Sequence, residues 1–437
     1  MNALLIITPT ISHYNASLSM IKSLEKLGYN TFVTANEAFE NIFNQMGQKT
    51  CRLNTSPFGL NYDLYGNGTN ENPKAILMER MNYNLYKSRK AELTSIFKNI
   101  QPSIVYIDAQ NATDFIPLYQ LIKSQNTKVF FLQTTLSTKF SMKNPHYNSH
   151  LKPRPLIKLL INNLTLKFNY HINTVLEKIK FLGYDDKSII KRVFKDEKIN
   201  KKYAPKWLIP SGCTFCNIPT IYVSPKELEY TSTELSDIYL GNSVQNITFN
   251  PEKKRAYDLN FEMLYISFGT LNIHKTFEIE NFLDTLNLVL ASKPNLKAIL
   301  SCGLNYKLIE KSKSRWNNIE IFSFVDQHEV LNKSDYFISH GGLNSIKEAI
   351  HYNVPMLIYP LEGDQIGNAQ KIDFYSLGIA GDIYKENSNA ISQNLNRLIL
   401  DKKVFKLKLE KFRDSSRTTY DIDKIMLNSI NDSERIL

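Results

Sequence analysis

Long apolar runs are missing from this 437-residue sequence. Its uninterrupted ones are strand-sized, such as Leu4 to Ile7, far short of the roughly 20 apolar residues a membrane-crossing helix needs. No basic stretch precedes that run, which leads straight into Thr8-Pro9; it reads as a first buried strand, not a signal peptide. Cysteine is sparse as well. Cys51, Cys213, Cys216 and Cys302 are too few in a chain this long to build a disulfide framework. Cys213-Thr-Phe-Cys216 has the spacing of a metal or redox pair, but no second Cys/His pair follows, so two ordinary thiols are expected. These absences together give a cytoplasmic protein as the expectation. No Gly-x4-Gly-Lys-Ser/Thr occurs, which excludes a P-loop kinase.

What is present is length enough for two domains and an apolar content of 43%, enough to fill their cores. The formal net charge of +11 is concentrated: residues 139–206 carry 16 Lys/Arg against 5 Asp/Glu, and the rest of the chain is close to neutral. A local basic block speaks of a local partner. With no recognised nucleic-acid motif beside it, nucleic acid is not the expected one. Inside the block, Leu156–Ile161 and Val175–Ile179 have amphipathic helical patterning. A packed helix pair with solvated lysines is the expectation there. The alternative is an interfacial helix in peripheral contact with an anionic membrane.

Short apolar runs alternate with helical patterns through the first third. Leu4–Ile7, Thr31–Thr34, Ser103–Ile107 and Lys128–Leu132 read as buried parallel strands, and Ser17–Leu27 and Lys74–Lys98 as helices. Ile218–Val223 reads as a returning strand, and the polar stretch from about 228 to 258 as an interdomain linker. A second α/β rhythm follows, with strands at Met263–Ser267, Lys297–Ser301, Ile319–Phe322, Tyr336–Ile338, Pro355–Tyr359 and Ile379–Asp382. Alternating β and α elements imply doubly wound sheets. The stretch from Ala390 to about Ile436 reads as helical and charged.

The densest chemistry lies at Phe337-Ile-Ser-His-Gly-Gly-Leu-Asn-Ser-Ile-Lys-Glu-Ala-Ile350, followed by Val354-Pro355 and Gly363-Asp-Gln365. An apolar run ends in His340 and two glycines, and Asn344 and Ser345 then open a helix. Such a helix start presents free N–H groups and partial positive charge, which hold phosphate well, and glycine lets the backbone approach an anion closely. The set His340, Asn344, Ser345, Glu348, Asp364 and Gln365 resembles the donor-binding signature of family-1 nucleotide-sugar glycosyltransferases, the inverting GT-B group. The likeness is strongest to the bacterial macrolide and antibiotic glycosyltransferases. It spans about 30 residues without a gap, and weaker likeness runs from Ser267-Phe-Gly-Thr270 to Gly378 and again near the N-terminus.

The resemblance implies a GT-B fold, two Rossmann-like doubly wound domains facing a central cleft. The expected boundaries are 1–240 for an acceptor-binding domain, with 139–206 as its variable basic segment, and 241–410 for a nucleotide-sugar-binding domain. Residues 411–437 would form a C-terminal helix crossing back. The diphosphate would meet His340, Gly342, Asn344 and Ser345, with Ser267, Gly269 and Thr270 close by. A carboxylate near diphosphate is repelled, so Glu348 is expected on ribose hydroxyls, and Asp364 and Gln365 on the donor sugar. Phe324-Val-Asp-Gln327 matches a base-receiving segment through Val325 and Gln327, but Asp326 stands where proline is usual, which predicts a looser loop. His13, in Thr10-Ile-Ser-His13, matches the family's catalytic His, with Ser12 in place of its Gly. Asp108, ending Val105-Tyr-Ile-Asp108, matches its Asp partner. A His titrates near neutrality and can take an acceptor proton. Read on its residues alone, Asp108 has a helix N-cap as its alternative role.

The expected reaction moves a sugar from a UDP-sugar, UDP-glucose first and a TDP-sugar second, to a hydroxyl of a small hydrophobic acceptor. No cofactor or metal is implied, since a cationic turn and a helix dipole can replace Mg²⁺ at the diphosphate. Two other readings stand beside it: a nucleotide-sugar epimerase on the same fold, and a non-catalytic sugar-nucleotide-binding helper of another transferase.

Overall fold

The computed structural model describes residues 1–59, 73–209, 212–230, 237–244, 261–269, 275–303, 306–418 and 421–432. Thr270 and most of the expected linker lie outside the described residues. The first half is built on β1 (Asn2–Ile6), β2 (Asn30–Ala35), β3 (Lys49–Arg52), β4 (Ile104–Asp108) and β5 (Lys128–Gln133). An antiparallel pair follows, β6 (Pro205–Trp207) with β7 (Cys213–Phe215), and then β8 (Thr220–Tyr222) and β9 (Asp237–Tyr239). Its parallel sheet has the order β3-β2-β1-β4-β5-β8-β9. The second half carries β10 (Glu262–Ser267), β11 (Leu296–Ser301), β12 (Ile319–Phe322), β13 (Tyr336–Ser339), β14 (Met356–Ile358) and β15 (Gly378–Ala380). These form a second parallel sheet in the order β12-β11-β10-β13-β14-β15.

Strand residues alternate between two cores, as a period of two demands. Leu4, Val105 and Phe131 face one layer of helices, and Leu5, Tyr106 and Phe130 face the other. In the second sheet Leu264, Leu300 and Ile338 point to one side, and Tyr265, Ile299 and Phe337 to the other. Both faces are covered, which is why these strands read as continuous apolar runs. Each sheet order reverses once, between β1 and β4 and between β10 and β13. Ligands of open α/β sheets bind beyond the carboxyl ends of strands at such reversals.

Several elements differ from the sequence reading. The first helix begins at Ile11, not Ser17, because Thr10 caps it by accepting from the His13 N–H (3.4 Å). The expected helix over 74–98 is two, Pro73–Asn82 and Asn84–Ile100, broken at Tyr83 with φ 54°. β3, β6, β7 and β9 have no counterpart in the sequence reading because each mixes polar with apolar residues and lacks the apolar run that marks the equally short β14. The expected pair of basic helices is one continuous helix, Leu156–Lys180. The last helices are Ser388–Leu400, Lys402–Thr418 and Ile422–Asp432. Leu409 of the middle one packs in the second half, whereas Met426 and Ile430 enter the core of the first. The chain returns to the first half in Ile422–Asp432, where Lys128 Nζ donates to the Ile430 carbonyl (2.6 Å).

Candidate active site

Asp108 closes β4 and is 1% exposed. Its Oδ1 accepts from the Gln110 N–H (3.0 Å), capping the short 3-10 helix Ala109–Asp114. Its Oδ2 lies 2.6 Å from His13 Nδ1 and accepts from the Thr8 N–H (3.3 Å). Asp108 is therefore both the N-cap and the histidine's partner, one oxygen serving each. His13 sits in the first turn of helix Ile11–Lys26, buried, where the reversal between β1 and β4 places it beside Asp108. A carboxylate only accepts, so it fixes the hydrogen on Nδ1 and leaves the Nε2 lone pair available. Thr134, just past β5, brings its Oγ1 within 2.8 Å of the same Nδ1. Nothing in the chain marks Thr134 beyond its place just past a third strand end. Burial pulls the His13 pKa down, but the charge and hydrogen bond of Asp108, with the charge of Asp364, outweigh it and raise it above 6.5.

That last effect comes from the other half of the molecule. Asp364 opens helix Asp364–Phe374 after Gly363. Burial raises its pKa, opposed by a hydrogen bond from Asn368 and by His13. Asn368 Nδ2 bonds both Asp364 Oδ2 (3.1 Å) and the Gly341 carbonyl (3.0 Å), tying the two loops together. Asn344, expected on the diphosphate, donates from Nδ2 to the Ser12 carbonyl (2.8 Å), next to His13. Lys347, a residue the sequence reading passed over, is buried and donates to the Val223 carbonyl (2.6 Å) of the first half. Burial without a carboxylate bonded to it draws its pKa down to about 8, with Glu348 opposing. At the rim, a buried pair joins Lys371 Nζ to Glu229 Oε2 (2.7 Å). Gly367 presses on the Tyr147 carbonyl so closely that a Cβ there would lie 2.0 Å from it. The ends of both sheets thus face each other across one cleft.

On the second half, His340 follows β13 and its ring lies between two glycines. A Cβ on Gly342 would stand 2.6 Å from His340 Nε2, and one on Gly269 would stand 2.8 Å from Cε1. His340 Nδ1 is buried with no partner among the described residues. Burial lowers its pKa to about 4, only partly offset by the Ser267 backbone. The turn is therefore not cationic as expected: the imidazole is neutral, a polar group beside a helix dipole. Helix Leu343–His351 begins at Gly342 with no side chain capping it, so its first N–H groups have no side-chain acceptor. Ser345 lies in its first turn, nearly buried, and Ser267 ends β10 beside β13.

Farther along the cleft, Gln327 Nε2 donates to Glu348, and Gln327 Oε1 accepts from Tyr265 (3.1 Å). Burial pushes the Glu348 carboxyl up to about 7, opposed by Gln327 and Lys347. Val325 packs against the second core while Phe324 stays 66% exposed. Asp326 does not loosen this loop. Its Oδ1 accepts from the His328 and Glu329 N–H groups (3.0 and 3.1 Å) and caps helix Gln327–Lys333. Side-chain capping here substitutes for proline's rigidity. Asp326→Ala should cost about 1 kcal/mol of stability, visible as a lower thermal midpoint. Gln365 also differs from the expectation. Its Oε1 accepts from the Leu361 and Glu362 N–H groups (2.9 and 3.1 Å), so the carbonyl end shapes the loop and only the amide N–H end has no partner among the described residues.

Residues 310–414 match the family model described as UDP-glucoronosyl and UDP-glucosyl transferase. A Bacillus subtilis (strain 168) protein named uncharacterized UDP-glucosyltransferase YdhE is 23% identical over 427 residues, 96% of this chain and 95% of its own length. The chain thus carries, in its second half, a sequence likeness to a family of glycosyltransferases. Its fold agrees with solved GT-B enzymes. The glycosyltransferase of kitacinnamycin superposes with a TM-score of 0.70 at 15% identity, covering 99% of this chain and 98% of that one. The glycosyltransferase VinC, in complex with dTDP, gives 0.65 at 14% identity over the whole of both chains. The family-model match lies wholly on the second half of this chain, the half bearing His340, Glu348 and Asp364.

Proposed function

We propose that this chain is a glycosyltransferase that moves a sugar from a UDP-sugar to a hydroxyl of a small hydrophobic acceptor, in a single displacement that inverts the anomeric carbon. The observation that carries the reading is the His13–Asp108 pair, 2.6 Å apart, on the far side of the cleft from an uncapped helix start. The diphosphate would sit on that start and receive its N–H groups, the Ser345 hydroxyl and a hydrogen bond from neutral His340. Asn344 would exchange its bond to Ser12 for one to the ligand, coupling donor binding to the helix start that carries His13. Glu348 and Gln327, already bonded to each other, offer ribose a paired acceptor and donor, and exposed Phe324 offers the base a face to stack on. Asp364 and the Gln365 amide would hold the donor sugar. UDP-glucose is the first donor to test. TDP-sugars stand beside it because VinC, similar in fold, was solved with dTDP.

His13 Nε2 removes the acceptor proton as the oxygen attacks, and Asp108 steadies the imidazolium that forms. The second half holds UDP as it leaves, and the closed cleft excludes water. A hydrophobic natural-product acceptor is supported by the similar fold of a spinosyn rhamnosyltransferase solved with spinosyn aglycone. The test is an assay of UDP-glucose with a panel of polyketide and terpenoid alcohols, with NMR of the new anomeric centre. A β-glucoside from the α-donor is expected. Conversion of the donor alone would favour an epimerase, and retention would overturn the mechanism.

The base must be neutral, so kcat/KM should rise with pH through an inflection above 6.5, where the raised His13 pKa lies. The sign for stability is opposite. Protonated His13 beside Asp108 favours the fold fully below the unfolded pKa, and the gain is lost as pH climbs through the folded one. Asp108→Asn should lower the inflection and cut kcat, by up to about 10⁴-fold if the wrong tautomer results. An unchanged pH profile in that variant would remove Asp108 from the mechanism.

A further inference from the structure

Helix Leu156–Lys180 runs for 25 residues, about 37 Å at 1.5 Å per residue, yet little of it is buried. Leu159 and Asn163 are its buried residues. Asn163 Nδ2 anchors it by donating to the carbonyls of Ser141 (3.1 Å), Met142 (3.3 Å) and Asn144 (2.8 Å). Leu159 and Asn163 fall on one side of the helical wheel. On the opposite side stand Ile157, Ile161, Leu164, Phe168, Val175 and Ile179, each between 56% and 75% exposed. At about 100° per residue these six lie within an arc of roughly 60°. No second helix among the described residues covers them, so the packed pair expected from the sequence does not form there. Exposed large apolar side chains are ordinary when scattered; six in one straight row are not.

The charges around the row are ordered too. Lys158 lies on one flank and Lys167 and Lys178 on the other, all exposed. Lys180 lies farther round, paired at 3.6 Å with Glu177, the helix's single acidic residue, which is turned away from the row. We propose that this helix lies in the surface of an anionic lipid bilayer, with the apolar row in the acyl boundary and the lysine stems reaching up to the headgroups. Charge complementarity decides among occupants. A second copy of the helix, docked row to row, would set lysine flanks against lysine flanks. A bilayer rich in phosphatidylglycerol offers the opposite sign on both flanks at once. The helix lies on the membrane and does not cross it, since no helix among the described residues is long and apolar enough to span. Placement supports a use. The carbonyls that anchor Asn163 belong to the segment leading from Thr134, which touches His13, to Tyr147, which abuts Gly367 across the cleft. A helix seated on lipid would set the cleft mouth close to the bilayer, where amphiphilic alcohols concentrate.

The test is flotation of the full chain with vesicles of phosphatidylglycerol and phosphatidylcholine, and with phosphatidylcholine alone, at low and high salt. Most protein should float with the anionic vesicles at low salt, and at least ten times less with neutral ones or at high salt. The I161D/F168D double variant should lose at least tenfold in the floated fraction. Both residues are exposed and make no core contact, so its thermal midpoint should match that of the parent. A K158E/K167E/K178E variant should lose the anionic preference without disturbing the apolar row. Failure of the parent to float on anionic vesicles would overturn the proposal. So would equal flotation by the Asp variant, or a dimer by light scattering that the Asp variant abolishes while vesicle binding is absent.

Discussion

Replacing His13 with alanine should lower sugar transfer by about 10²–10⁴-fold, the range that general-base catalysis supplies, and leave UDP affinity within a factor of two or three. The asymmetry follows from where the groups stand. His13 belongs to the first half and is bonded to Asp108 and Thr134. The uncapped helix start, His340 and the Glu348–Gln327 pair all belong to the second. Removing the imidazole takes away the proton acceptor but touches none of the groups proposed to hold the nucleotide. A small cavity remains at a residue already at the cleft wall, so the fold should survive. Two readouts are needed, turnover under saturating donor and UDP titration by calorimetry. Near-normal turnover would remove His13 from the mechanism. Joint loss of turnover and UDP binding would mean that the residue holds the halves together, not that it moves a proton.

The mirror image is Gly342→Ala. A single methyl there would stand 2.6 Å from His340 Nε2, far inside van der Waals contact, and must push the imidazole out of its slot. Gly342 has φ −61° and ψ 138°, which alanine adopts freely, so the expected effect is steric and not backbone strain. The displaced ring would intrude where the diphosphate is proposed to lie. UDP affinity should fall at least tenfold, about 1.4 kcal/mol or more, with the His13–Asp108 pair undisturbed. Alanine at Gly342 with full UDP affinity would show that His340 does not border the phosphates. The two variants together separate the halves: one loses chemistry and keeps the nucleotide, the other loses the nucleotide first.

Much of this architecture could be read in the chain because parallel strands buried on both faces appear as short apolar runs. Leu4–Ile7, Ser103–Ile107 and Tyr336–Ile338 each mark, to within a residue or two, a strand that ends in or leads to Asp108, His340 or the helix start bearing His13. What eluded reading depends on side-chain hydrogen bonds between residues distant in sequence or on local caps. Asp326 looked like a lost proline because the capping of His328 and Glu329 is visible only once the helix start is placed. Gln365 looked free to hold a sugar, yet half of its amide closes its own loop. Thr134 and Lys347 carried no motif, and their contacts exist only because the two sheets meet. Charge and patterning mark two helical stretches inside Leu156–Lys180, but that they join into one helix, and whether its apolar row is covered, are questions that periodicity does not address.

The central claim is that the second half binds a pyrimidine nucleoside diphosphate. Thermal melting of the purified chain with UDP, TDP, GDP and ADP in turn tests it most directly, since a ligand at about 100 times its dissociation constant adds roughly 2.7 kcal/mol to stability. The account predicts a raised midpoint with UDP, or with TDP, and little change with GDP or ADP. No shift with any of the four, or equal shifts with all, would contradict it.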